Sequence, residues 1–205
     1  MTITAREALD RLREGNRRFV AGVRSGAALL THTPQEALAA KPSPIAIVLG
    51  CSDARAPAEI IFDQGLGDLF VIRVAGNIVA PSQVGSVEFA AERFGVPLVV
   101  VLGHTQCGAI LATLESLRSA ANHSSNVRSI VDRIRPTVRT LLDTGRRLDE
   151  PELVRQAVRA NVRASVVHLR HGSALLEQLI QDGKLLIVGA EYALETGEVD
   201  FFDEG

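Results

Sequence analysis

The sequence predicts an α/β fold: one central, mainly parallel β-sheet of about four parallel strands plus a C-terminal edge strand, flanked by helices and preceded by an N-terminal helical arm. Three observations carry this. Ile45 to Leu49, Leu69 to Val74, Leu98 to Leu102 and Leu185 to Val188 are short, continuous apolar runs, the pattern of strands buried on both faces. The segment between each run and the next is long enough for a crossover connection, the alternation that builds a parallel sheet covered on both sides. The chain has 205 residues, 46% of them hydrophobic, enough for one domain with a substantial core. We therefore expect a single domain over residues 1–205, with residues 1–41 as an arm.

The arm begins with apolar residues at helical spacing, Ala8, Leu9, Leu12, Phe19 and Val20, over residues 4–21. Thr4 followed by Glu7 is a capping-box pattern. Gly22 to Gly26 interrupts the pattern, and residues 34–40 read as a short helix opened by Pro34. The arm looks too narrow and charged to hold a core of its own, so it is expected to pack on the main body or on a partner subunit. After the hinge Lys41-Pro42-Ser43-Pro44 the strands begin. Val84 to Phe94 is the clearest crossover helix, and helices are expected over 109–119, 126–142, 152–171 and 173–181, with breaks at Gly145 and Pro151. Glu198 to Phe202 should add the edge strand after the Thr196-Gly197 turn.

Aromatic residues make up 4% of the chain, with no Trp, so Val, Leu, Ile and Ala must form the core. A formal net charge of −2 offers no electrostatic case for nucleic acid or an anionic membrane as partner. The longest apolar runs fall far short of the roughly 20 residues of a spanning helix. Met1 to Gly15 is charged and lacks the apolar stretch of a secretory signal, which points to a cytoplasmic protein. In a reducing compartment the two cysteines, Cys51 and Cys107, are more naturally metal ligands or catalytic groups than a disulfide; inert buried thiols are the alternative.

The chemistry concentrates at two strand ends. Ligands of open parallel sheets sit beyond the carboxyl ends of the strands. The first strand runs into Gly50-Cys51-Ser52-Asp53-Ala54-Arg55, the third into Gly103-His104-Thr105-Gln106-Cys107-Gly108. Both cysteines, a histidine and an aspartate thus fall at one edge of one sheet. Thiolate and imidazole donors favour Zn²⁺, and three of them, Cys51, His104 and Cys107, leave the fourth position that catalytic zinc requires. Asp53 either takes that position and closes the site or is held off it by a bidentate Arg55. Taken singly, Asp53 and Arg55 read as a surface ion pair and His104 as a loop histidine. Together, in this order and directly after buried strands, the two segments are a specific signal. Two thiolates cancel the zinc charge, so water at such a site should be less acidic than at a three-histidine site, and activity should rise through mildly alkaline pH.

These residues resemble the β-carbonic anhydrase family: C-S-D-A-R at 51–55, D-L-F-V-I-R at 68–73, A-G-N at 75–77, G-H-T-Q-C-G at 103–108, the stretch from Gly85 to Pro97 with Phe89, and the ending from Leu185 to Val199. The likeness runs from about residue 5 to residue 202. It implies reversible hydration of CO₂ to bicarbonate by zinc-hydroxide attack, a carbonic anhydrase (a zinc lyase). Cys51, His104 and Cys107 would be the metal ligands, and Asp53 and Arg55 the catalytic dyad. Phe70, Phe89 and Gly108 would line the substrate pocket, partly across a subunit interface. It also implies a homodimer, or a tetramer built from dimers, whose N-terminal helices embrace the partner. Three positions depart from the family pattern. Pro42 stands where many members have a substrate-binding Gln, for which Gln83 or Gln106 would have to substitute. Phe89 stands where Tyr is frequent. Val48 stands where the subgroup with a bicarbonate-controlled closed state has Trp, so Asp53 is expected off the metal and the site open. The Pro42 departure leaves room for a hydrolase of a CO₂ analogue such as carbonyl sulfide or carbon disulfide; a non-catalytic zinc- or bicarbonate-binding protein is the other alternative.

Other features read as structure. His168 and His171 share a helix face at i, i+3 but are expected to be exposed. His32 and His123 fall in loops as candidate proton relays. Gly65-Leu66-Gly67 precedes a strand instead of following one, the wrong order for a phosphate cradle, and is assigned to a turn.

Overall fold

A computed structural model describes residues 3–23, 43–119, 123–144 and 148–203. The short helix expected at 34–40, the hinge residue Pro42, His32 and Gly145 lie outside the described residues. Five strands form one sheet in the order β2-β1-β3-β4-β5: β1 Ala46–Gly50, β2 Leu69–Arg73, β3 Leu98–His104, β4 Leu186–Tyr192 and β5 Val199–Phe202. The first four are parallel, and β5 returns antiparallel along β4. The helices are α1 Ala5–Val20, α2 Ala58–Ile61, α3 Pro81–Phe94, α4 Gly108–Arg118, α5 Ser125–Asp143, α6 Glu150–His171 and α7 Ala174–Gln181, with a 3₁₀ turn at Ala75–Asn77.

The period-2 geometry of a strand explains why the apolar runs are continuous. Ala46, Val48, Leu98, Val100, Leu102, Val188 and Ala190 point to one face and pack with Leu9, Leu12, Ile61 and Phe62. Ile47, Leu49, Val99, Val101 and Ile187 point to the other and meet α3, α6 and α7 through Val87, Ala90, Val162, Val166, Leu169 and Leu176. Beyond the carboxyl ends of the strands a third cluster joins Cys51 and Cys107 to Ile110 and Leu114 of α4, Ile134 and Val138 of α5, and Ala157 and Val158 of α6.

Two expectations change. The run at Leu69 to Val74 forms β2, but its residues are only half-buried up to Arg73, which is exposed. β2 is the outer strand of this sheet, so one flank has no neighbour, and apolar content alone does not distinguish edge from centre. Strand β4 runs on to Tyr192, four residues past the apolar stretch, because Gly189 to Tyr192 pair with both β3 and β5.

The arm's first helix has the expected capping box: Thr4 Oγ1 accepts from the Glu7 amide, and the Thr4 amide donates to the Glu7 carboxylate at 2.8 Å. It packs on its own chain. Leu9 and Leu12 are fully buried, worth about 1.5–3 kcal/mol each, and Gly15 lets the helix lie on the backbone after α2, since a Cβ there would come within 1.8 Å of the Phe62 carbonyl oxygen. Asn16 then ties three segments together, donating to the carbonyls of Ile61 (3.2 Å) and Gly197 (2.9 Å) and accepting from the Val199 amide (2.9 Å).

Candidate metal centre

Chain order decides where a ligand can sit. From β1 the chain moves outward to β2, then crosses back to β3 on the opposite side of β1. The carboxyl ends of β1 and β3 therefore flank the topological switch point, where crossover connections leave in opposite directions and open a crevice. Cys51 is the first residue after β1, and His104 is the last residue of β3. Cys107 follows as the cap of α4.

The structure brings these three together. One atom from each of Cys51, His104 and Cys107 lies within 4.8 Å of the other two, and all three residues are buried; no other such group of three or more His, Cys, Asp or Glu residues occurs among the described residues. The sulfurs are 4.0 Å apart and both cysteines are free thiols. His104 Nδ1 is 2.8 Å from the Thr105 carbonyl oxygen. That carbonyl can only accept, so Nδ1 carries the proton and the lone pair is on Nε2. Nε2 is buried and makes no hydrogen bond, a costly arrangement unless something binds it. Ordinary zinc–sulfur bonds in a tetrahedron would put two sulfurs about 3.8 Å apart, close to the observed separation. Donor types, spacing and the orphaned nitrogen all fit zinc.

The electrostatics agree. Cys51 is brought down to about 4 by the hydrogen bond from Cys107, against the effect of burial and with help from His104 and the Gly76 amide, which is 3.3 Å from its sulfur. Cys107 is pushed up by the same shared bond and by burial. The pair thus loses its first proton readily and holds the second. Burial works against a charged His104, but the Cys51 sulfur, the Thr105 carbonyl and Asp53 together outweigh it and raise the imidazole.

Beside these three candidate ligands sits the Asp53–Arg55 pair. Arg55 holds Asp53 at both oxygens, Nε to Oδ1 at 3.0 Å and Nη2 to Oδ2 at 2.7 Å, and its amide adds a bond to Oδ1 at 2.9 Å. These bonds, chiefly the guanidinium, hold the Asp53 carboxyl well below the usual carboxylate range. Asp53 Oδ2 is 3.9 Å from His104 Nε2.

A scan against family models matches residues 46–199 to the carbonic anhydrase model. Carbonic anhydrase 2 of Mycobacterium tuberculosis is 42% identical over 186 residues, covering 91% of this chain and 87% of that protein. The chain belongs to the β-carbonic anhydrase family. Among solved structures, the β-carbonic anhydrase CcaA superposes with a TM-score of 0.74 at 28% identity, covering 95% of this chain and 87% of that one. One of two tetrameric β-carbonic anhydrases from Sordaria macrospora shares the fold, with a TM-score of 0.76 at 22% identity over 93% and 94% of the two chains. The family activity is CO₂ hydration, and its members are lyases.

Within this β-carbonic anhydrase chain the expected pocket residues divide. Gly108 directly follows Cys107, and a Cβ there would meet nothing within 4 Å, so space is open beside the ligands. Phe70 and Phe89 pack on each other at 6.4 Å and both on Phe94. Phe70 and Phe94 belong to the cluster under the sheet, apart from that of the two cysteines, and Phe89 is 54% exposed. Gln106 gives its amide nitrogen to Glu195 at 2.6 Å, and Gln83 sits in the first turn of α3, accepting from Ser82. His168 and His171 are exposed, and Gly65 to Gly67 form the turn into β2.

Sequence reasoning missed Arg73. From the end of β2 it donates to the carbonyls of Cys51 (3.0 Å) and Asp53 (2.6 Å), fixing the loop that carries Cys51, Asp53 and Arg55. Its place at the end of an apolar run was the available signal. The clamp of Glu195 on Thr105 and Gln106 had none, because its partners lie 90 and 89 residues apart.

Proposed function

We propose that this chain performs the reversible hydration of CO₂ with Cys51, His104 and Cys107 as zinc ligands and with Asp53 and Arg55 as the catalytic dyad. The observation that carries this reading is the buried, unbonded His104 Nε2 facing two free thiols, with an ionised, doubly clamped carboxylate next to it. A purely structural zinc site would use a fourth ligand and would have no need of that clamp.

Zinc, when bound, supplies a Lewis acid that lowers the pKa of water into a usable range. The chain's own residues do the rest. The Thr105 carbonyl fixes the His104 tautomer and ring direction, as outer partners of metal-binding imidazoles do. The Gly76 amide and the first amides of α4 stabilise the thiolates. Asp53 Oδ2 accepts a hydrogen bond from the reacting water and so turns its lone pair toward CO₂. Arg55 keeps that carboxylate charged and prevents it from becoming a fourth ligand, so the site rests open.

Phe70 and Phe89 are assigned to a pocket completed between subunits. Phe89 is exposed at the β2 edge, and one of the fold's relatives is described as tetrameric. We infer a dimer or a tetramer of dimers and a single domain over 1–205. In this assembly the 1–41 arm adds partner contacts through exposed residues such as Val20 and Val23. No helix among the described residues is long and apolar enough to cross a membrane, and two free cysteines suit the reducing cytoplasm.

Stopped-flow CO₂ hydration by the zinc-loaded protein, run beside carbonyl sulfide and carbon disulfide hydrolysis, tests the reading. Hydration that falls at least 10²-fold in Asp53→Ala is expected. Turnover of an analogue with no CO₂ hydration would overturn it.

A further inference from the structure

The 3₁₀ turn at Ala75–Asn77 delivers the Gly76 amide to the Cys51 sulfur, and its backbone is unusual. Gly76 has φ 71° and Asn77 has φ 43°, two successive residues in the left-handed region, one of them with a side chain. Such a turn persists only when its surroundings hold it. A Cβ at Gly76 would lie 2.9 Å from both Ala109 Cβ and Ile134 Cδ1, so α4 and α5 press on it from one side. On the other side α6 presents Asn161 and Ser165, one helical turn apart. Asn161 Nδ2 donates to the Gly76 carbonyl at 2.8 Å, and Ser165 Oγ donates to the Asn77 carbonyl at 3.0 Å. Both are buried in a helix face that is otherwise apolar, where a polar side chain needs a purpose to offset its desolvation.

We propose that Asn161, seconded by Ser165, is a positioning residue for the metal centre. By fixing the carbonyls of the turn it aims the Gly76 amide at Cys51 and so sets how strongly that sulfur donates to the metal. This rests on the ligand set proposed above. The bond is a donor aimed at a thiolate, so losing it leaves the sulfur more electron-rich and less well placed. Truncating Asn161 also strands the Gly76 carbonyl, which drives the turn to relax.

The test uses Co²⁺ as a spectroscopic probe and Zn²⁺ competition with a chelator, on the full chain. Wild type should show the thiolate-to-cobalt charge-transfer band. In Asn161→Ala this band should move to longer wavelength, and zinc affinity should fall about 10-fold, within the range seen for outer partners of metal ligands. Ser165→Ala should move both in the same direction by less, and serves if Asn161→Ala does not fold. Val166→Ala, a buried truncation on the same helix against the far cluster, should lower thermal stability without moving the band. An unmoved band and unchanged affinity in both Asn161→Ala and Ser165→Ala overturn the proposal while leaving the ligand set intact. A wild type with no thiolate-to-cobalt band overturns the ligand set, and this proposal with it.

Discussion

Replacing Arg55 with Ala tests whether Arg55 keeps the site open. The substitution removes the guanidinium bonds to Oδ1 (3.0 Å) and Oδ2 (2.7 Å) and leaves the backbone amide on Oδ1 at 2.9 Å. The freed oxygen is therefore Oδ2, the one 3.9 Å from His104 Nε2. Two ligands in a tetrahedral zinc site with ordinary zinc–nitrogen and zinc–oxygen bonds stand about 3.4 Å apart. Asp53 Oδ2 thus lies roughly 0.5 Å farther from Nε2 than two ligands of one zinc would stand from each other, a difference that rotation about its side-chain bonds can close once the guanidinium is gone. Occupying the fourth position displaces the reacting water altogether, which should cost at least the ~10²-fold that a 1 Å misplacement of a reacting group costs. We expect CO₂ hydration by Arg55→Ala to fall about 10²-fold or more while zinc affinity holds or rises, with the cobalt spectrum reporting a fourth protein ligand. Stopped-flow hydration, chelator competition and the cobalt spectrum measure the three. Wild-type hydration, or zinc affinity lost in step with activity, would refute the clamp's role.

Further expectations concern ionisation and packing. In the metal-free protein the thiolate band in the ultraviolet should show one cysteine ionising far below the ordinary thiol range and the second far above it, and Cys51→Ser should abolish the early step. Burial raises the Glu191 carboxyl, against the pull of Arg159. A carboxyl raised in the folded state makes the fold lose stability as pH climbs from its unfolded value toward the folded one. The stability of Glu191→Gln relative to wild type should therefore improve as pH climbs above the ordinary carboxylate range, read by thermal unfolding, and a flat difference would contradict this. Gly15→Ala should destabilise despite a helix-propensity gain of about 1 kcal/mol, because α1 must lift from the Phe62 carbonyl and loosen Leu9 and Leu12; a raised melting temperature would show that α1 does not pack this way. Chelation of zinc should lower the melting temperature by linkage, and zinc, not magnesium, should restore it.

What was legible in the sequence follows from periodicity and from strand ends. Continuous apolar runs placed β1, most of β3 and the first part of β4, and the residues at and just past the ends of β1 and β3 carried the donor atoms. The two strands turn out to flank the switch point, so reading their ends was enough to assemble Cys51, His104 and Cys107. Edge placement was not legible, because Leu69 to Ile72 is as apolar as a central strand, and only the chain order makes it the border. Contacts made through backbone atoms were also hidden. Arg73 on the Cys51 and Asp53 carbonyls, Asn161 on Gly76 and Thr105 on His104 each depend on where a carbonyl points, which no residue type encodes. How the arm docks was hidden for a different reason: its charges and apolar spacing were legible, but nothing in the sequence marked Gly15 as the residue that lets α1 lie on its own chain.

The most direct test of the three-ligand claim is CO₂ hydration by the zinc-replete protein beside Cys107→Ser. Replacing one buried sulfur with oxygen barely changes the packing around α4 but removes a soft donor. The account predicts rapid hydration by wild type with one zinc per chain, and loss of both zinc and hydration in Cys107→Ser. Hydration retained by Cys107→Ser, or absent from zinc-replete wild type, would contradict it.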